Sequence, residues 1–139
     1  MKILVMGLPG AGKTHLAERL SKFLGCAWYN ADKVREMAND WDFSPEGRLR
    51  QANRMKSIAN FESDNGRTVI CDFVCPTKDT RTMFSPDLIF WVDTLEQGRF
   101  EDTNKMFEKP TNADFHITHY LSDKDIKSIG SYLKETYNV

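Results

Sequence analysis

The sequence predicts a three-layer α/β fold: a five-stranded parallel sheet with helices on both faces. Three observations lead there. The apolar run Ile3-Leu4-Val5-Met6 has no polar alternation, as in a strand covered on both faces. It leads into Gly7-Leu8-Pro9-Gly10-Ala11-Gly12-Lys13-Thr14 and then into a helical pattern at Leu16, Ala17, Leu20, Phe23 and Leu24. Strand-like and helix-like stretches then alternate to the end of the chain, the pattern of units that feed a parallel sheet.

The first helix ends at Leu24, because Gly25 supplies a left-handed stop. Residues 26–30 read as a second strand. Residues 31–37 begin a helix with Asp32 in its first turn, and the polar and aromatic stretch 39–43 breaks it. Ser44 is an N-cap with Pro45 at the first helical position, and this helix runs toward Ser63 before Asp64-Asn65-Gly66 end it. Residues 68–72 form the third strand, 77–84 a short helix and 88–92 the fourth strand. Residues 95–108 read as a helix leading to a mobile segment, and 113–117 as the fifth strand. Ser122 caps the last helix, which places Ile126, Ile129, Tyr132 and Leu133 on one face. A strand order of 2-3-1-4-5 makes the first strand central. It lines Gly7, Asp32, Asp72 and Asp93 along the carboxyl edge, where such sheets hold ligands.

A length of 139 residues fits a single domain over 1–139. Nineteen basic residues against twenty acidic ones exclude a global field that would recruit nucleic acid or membrane. Cys26, Cys71 and Cys75 form an odd set without C-x-x-C spacing, so reduced thiols are expected rather than disulfides or zinc. A strand and glycine loop occupy the N-terminus, where a signal peptide would stand, and no apolar run reaches membrane-spanning length. The expected protein is cytoplasmic, a monomer or homodimer.

Gly7 to Thr14 fit G-x-x-x-x-G-K-[ST], and the strand before and helix after are the context in which that string is a phosphate cradle. This narrows the fold to the three-layer P-loop type of nucleoside-triphosphate hydrolases. Gly7, Leu8, Pro9, Gly10, Ala11 and Gly12 would form the loop around the phosphates of ATP, with the backbone N–H groups of all but Pro9, which has none, and the positive end of the helix facing them. Lys13 would place a charge near the β/γ-phosphates, and the Thr14 hydroxyl would ligate Mg²⁺.

Four further groups could carry chemistry. Asp32 and Arg35 share a helix face; they suit a proton acceptor with an anion-binding partner, or a helix-start acid with a solvated arginine. Asp72 ends an apolar strand, as an acid does when it holds Mg²⁺ through water beside a phosphate loop; otherwise it caps the next turn. Arg48 and Gln51 share one face of a helix whose Arg50, Arg54 and Lys56 are expected in solvent. Trp41 and Phe43 are loop aromatics that either plug the core edge or stack on a base. His15, His116 and His119 lack metal-ligand spacing and are expected to be structural.

With these residues assembled, the chain resembles the adenylylsulfate kinase (APS kinase) family, whose members move the γ-phosphate of ATP to the 3′-hydroxyl of adenosine 5′-phosphosulfate. The family's D-G-D-x-x-R element is similar to Asn30-Ala31-Asp32-Lys33-Val34-Arg35. Its G-F-S-x-x-D-R-x-x-N helix start resembles Asp42-Phe43-Ser44-Pro45-Glu46-Gly47-Arg48-Leu49-Arg50-Gln51. Its F-I-S-P resembles Phe73-Val74-Cys75-Pro76, with Cys75 in place of Ser, and its V-D-T resembles Val92-Asp93-Thr94. The lid segment D-x-K-G-L-Y is echoed by Asp102-Thr103-Asn104-Lys105-Met106-Phe107. The pattern departs at Asn30, at Gln51 and at Glu101, where the family has Arg and the nearest one here is Arg99. The family's N-terminal extension and part of its post-lid stretch have no counterpart.

The resemblance implies an ATP- and Mg²⁺-dependent phosphotransferase with Lys13, Asp32 and Arg35 as catalytic residues. Asp32 would be the acceptor-side acid and candidate general base. Arg35, Phe43, Arg48, Gln51, Phe73 and Val74 would hold the acceptor nucleotide. Lys105 would belong to a lid over about 95–112, with Arg99 near the ATP phosphates. Two other readings stay open. One is a P-loop kinase for another hydroxyl, on a polynucleotide 5′-end, nucleoside or sugar, since Asn-x-Asp-x-x-Arg also resembles such small kinases. The other is a non-catalytic ATP-binding regulatory module.

Overall fold

The computed structural model describes residues 1–98 and 100–139. In chain order they form β1 (Lys2–Met6), α1 (Lys13–Leu24), β2 (Ala27–Asn30), α2 (Ala31–Ala38), α3 (Pro45–Asp64) and β3 (Val69–Asp72). Then follow α4 (Lys78–Phe84), β4 (Leu88–Val92), α5 (Glu101–Met106), β5 (Phe115–Ile117) and α6 (Asp123–Tyr137). The sheet order is β2-β3-β1-β4-β5, and the four pairings are parallel. This is the predicted P-loop topology.

Each strand divides its side chains between two cores, as the two-residue period of a strand requires. Ile3, Val5 and Phe90 face α1 and α6, where Leu16, Leu20, Ile126 and Leu133 close the layer. Leu4, Met6, Cys71 and Trp91 face the other side, with Val34, Met55, Ala59 and Phe84. The boundary residues act as expected. Gly25 ends α1 in a left-handed conformation, and its N–H donates to Ser21 O. Ser44 caps α3 by accepting from Gly47 N, and Ser122 and Asp125 cap α6 reciprocally.

Two elements are shorter than the sequence predicts by two residues or more. The helix expected over 95–108 covers only Glu101–Met106. Gly98 N donates to Asn104 Oδ1 at 2.7 Å, and Asn104 Nδ2 returns a bond to Gly98 O at 2.9 Å, so residues 95–98 stay a loop beside Pro9. The fifth strand is Phe115–Ile117, and Asp114 uses its carboxylate to accept from Ile89 N instead. The three cysteines are free, and burial pushes the thiols up, to about 11 for Cys26 and about 12 for Cys71 and Cys75. Among the described residues no helix is long and apolar enough to cross a membrane.

Candidate active site

The register Asn30↔Asp72 and Val5↔Asp72 brings the carboxyl ends of β2, β3 and β1 together, and the glycine loop leaves β1 at that edge. Gly7 is forced to be glycine: its φ is +154°, and a Cβ there would lie 2.4 Å from Val92 O on the neighbouring strand. Gly12, the N-cap of α1, has φ 104° and no side-chain cap, which leaves the helix's first amides for an anion. A Cβ at Gly12 would meet the Tyr120 ring at 2.9 Å, so the loop before α6 braces the cradle from outside. Thr94 Oγ1 donates to Ala11 O at 2.7 Å and ties the end of β4 to the loop. Lys13 Nζ donates to Leu8 O at 3.0 Å.

Beside the loop lies a connected polar group. Asp72 is buried, and Trp28 Nε1 donates to its Oδ2 at 2.5 Å. Asn30 Nδ2 donates to Asp72 Oδ1 at 2.9 Å and to Thr14 Oγ1 at 3.2 Å. Burial pushes the Asp72 carboxyl above its ordinary value; the bonds from Trp28 and Asn30 and the charge of Lys13 pull it down, while Asp32 pushes it up. Asp32, in the first turn of α2, is exposed. A hydroxyl and a carboxylate are hard oxygen donors. Among the described residues no three His, Cys, Asp or Glu side chains form a cage. That donor set fits Mg²⁺, which keeps waters and takes phosphate oxygens rather than a full protein shell.

The acceptor-side candidates form a second group. Arg35 is buried, and its Nη1 donates to Asp40 O at 2.9 Å and Asp42 O at 3.3 Å. Its guanidinium lies 4.3 Å from the centre of the Phe43 ring, and burial lowers its pKa. Arg48 Nε donates to Phe43 O at 2.8 Å, and its Nη1 approaches Met106 Sδ at 3.7 Å, reaching toward α5. Gln51 is buried; its Nε2 donates to Ala31 O, joining α3 to α2. Trp41 and Phe43 are both about half exposed, so these aromatics are not core plugs. Phe73 stacks edge-on against Phe84 at 5.4 Å within the core, so it faces the interior; half-buried Val74 follows it. Lys105 pairs with Glu101 at 3.5 Å in solvent. Arg99 lies outside the described residues.

Two polar centres carry no signal in the sequence. Asp40 accepts from Arg50 Nε at 2.7 Å, Arg50 Nη2 at 3.0 Å and Arg54 Nη2 at 2.8 Å. Arg50 stays half exposed, as expected, and Arg54 is largely covered; both pin the 39–43 loop to α3 and hold the Asp40 carboxyl well below the usual range. Arg81 is buried, and its guanidinium donates to Cys75 O at 3.0 Å, Pro76 O at 3.1 Å and Glu108 O. It fastens the return of the 95–112 segment to the turn after β3. Cys75 in that turn has a left-handed φ of 48°, uncommon for a non-glycine residue.

A glycine cradle at the edge of a 2-3-1-4-5 parallel sheet, with an acid ending the adjacent strand, defines a P-loop nucleotide-binding domain. Residues 1–88 match the model of the family described as adenylylsulphate kinase, and the chain belongs to that family. It is 38% identical over 90 residues to a probable adenylyl-sulfate kinase of Aeropyrum pernix; the match covers 58% of this chain and 48% of that protein. The chain thus spans about half the length of that curated relative. The crystal structure of APE1195 superposes with a TM-score of 0.80 at 26% identity, covering 98% of this chain and 96% of that one. The APS kinase CysC of Mycobacterium tuberculosis, in complex with AMPPNP and APS, gives a TM-score of 0.75 at 18% identity; the match covers 99% of this chain and 97% of that one. At that identity the likeness speaks to fold alone.

Proposed function

We propose that this protein is an ATP-dependent kinase that moves the γ-phosphate of ATP to the 3′-hydroxyl of adenosine 5′-phosphosulfate. The observation that carries this reading is the joining of Thr14 and Asp72 through Asn30 beside Lys13, in a chain of the adenylylsulfate kinase family. The loop amides and Lys13 hold the β/γ-phosphates. Thr14 and Asp72 hold Mg²⁺, which neutralises charge on the phosphates when bound. Asp32, exposed at the same edge, takes the proton of the acceptor hydroxyl. Phe43, backed by Arg35, offers a ring face to the acceptor base, and Arg48 closes the gap to the 101–106 helix. The 95–112 segment, with Arg99 and Lys105, closes over the phosphates and keeps water from diverting transfer to hydrolysis.

The test is ATP turnover with Mg²⁺ against a panel containing adenylylsulfate, a polynucleotide 5′-end, nucleosides and sugars. Adenylylsulfate should be phosphorylated fastest, and Lys13→Ala should abolish transfer. Asp32→Asn should lower turnover roughly 10²–10⁴-fold with nucleotide binding near normal. Preference for another acceptor would overturn the substrate assignment, and unchanged turnover in Lys13→Ala would move the site elsewhere.

A further inference from the structure

Strand β2 contributes two side chains that neither the phosphate loop nor the acceptor loop accounts for. Trp28 donates its indole N–H to one oxygen of Asp72 at 2.5 Å, and Asn30 donates to the other at 2.9 Å. Asp72 is only 2% exposed, so water contributes little to holding its orientation. The Asn30 carboxamide is used on every side. Its Oδ1 accepts from Lys33 N at 3.0 Å, which fixes the amide so that Nδ2 faces the site. The two hydrogens on Nδ2 then serve Asp72 and, at 3.2 Å, the hydroxyl of Thr14. The metal-ligand candidates Thr14 and Asp72 lie on different elements, α1 and β3, and one side chain of β2 links them.

We propose that Trp28 and Asn30 are positioning residues that preset Thr14 and Asp72 to receive the magnesium form of the nucleotide. This inference rests on the nucleotide-binding reading above. Both carboxylate oxygens keep a lone pair after accepting one N–H each, so Asp72 can still accept from a metal-bound water. A carboxylate free to rotate would have to lose that freedom on binding. Held by two donors, it has already lost it, as groups behind a metal ligand generally arrange.

The experiment measures calorimetric affinity for the ATP analogue AMPPNP, once with Mg²⁺ and once with EDTA, in the wild type, Trp28→Phe and Asn30→Ser. Phenylalanine keeps a ring and removes the N–H. Serine keeps a capping hydroxyl for Lys33 N and removes the bridge, so helix capping is separated from positioning. Loss of such supporting bonds costs on the order of 10–100-fold in metal affinity. Each variant should therefore bind Mg²⁺–AMPPNP at least about tenfold more weakly, yet change less than about twofold in EDTA. Wild-type affinity with Mg²⁺ in both variants would overturn the proposal. So would an equal loss in both buffers, which would make the pair mere supports of the loop. Should one variant fail to fold, the other tests the opposite oxygen of the same carboxylate. A wild-type protein that bound AMPPNP in neither buffer would refute the nucleotide reading itself, and this inference with it.

Discussion

Replacing Arg81 by Met keeps much of the side chain's bulk and removes its N–H donors. Three carbonyls then lose a donor: Cys75 O, Glu108 O and Pro76 O, the last of which keeps the N–H of Glu108. The bond to Cys75 O is fully buried, and an unsatisfied group there costs about 1–3 kcal/mol. The other two are partly buried and recover some water, so each loses roughly 0.5–1.5 kcal/mol. Methionine spares the burial of a charge, an unfavourable effect seen in the lowered pKa of Arg81. A net loss of about 3 kcal/mol follows, which for a domain of this size lowers the melting temperature by roughly 10 °C. Urea unfolding followed by circular dichroism measures it, with the midpoint falling at an unchanged slope. Arg81→Lys should not restore stability, because a point charge cannot span three carbonyls as a planar guanidinium does. Amide exchange at Phe107 and Glu108 should also quicken, since Glu108 N donates to Pro76 O in the same turn. A loss below about 1 kcal/mol would show that this guanidinium does not hold the return of the segment.

Asp40→Asn should loosen the 39–43 loop and flatten the acid limb of stability. The folded carboxyl sits below its ordinary 3.8, so its clamp on Arg50 and Arg54 adds stability above that pH and loses it as pH falls toward the folded value. Thermal melts of wild type and variant between pH 7 and strong acid check this, and parallel curves would refute it. Gly7→Ala should abolish nucleotide affinity in calorimetry, because its Cβ would press 2.4 Å against Val92 O; unchanged binding would mean that the loop has another conformation. Amides in 95–112 should gain exchange protection with AMPPNP plus acceptor, and no gain would remove the lid assignment.

Contiguous signals were enough to place most elements and the strand order. The buried run 3–6, the glycine cradle, Gly25 and the Ser44-Pro45 cap act on their own neighbours in the chain, so reading along the chain finds them. The two shortened elements failed for the same reason inverted: a bond from Asn104 back to Gly98 overrode helix propensity in residues 95–98, and the Asp114 side chain took over a backbone position beside β4. The phosphate loop, Asp32 and Asp72 were visible because each stands at the end of a predicted strand or the start of a helix. Arg50 and Arg54 looked like solvated charges, Arg81 and Trp28 carried no reading at all, and the resemblance put Phe73 at the acceptor, whereas its ring packs on Phe84 in the core. Those roles depend on partners 5 to 44 residues away. They arise only when parallel pairing sets Asn30 and Val5 against Asp72 and when α4 closes under Glu108. Local propensity carries no information about such distant partners; the register of the sheet and the burial it creates decide them.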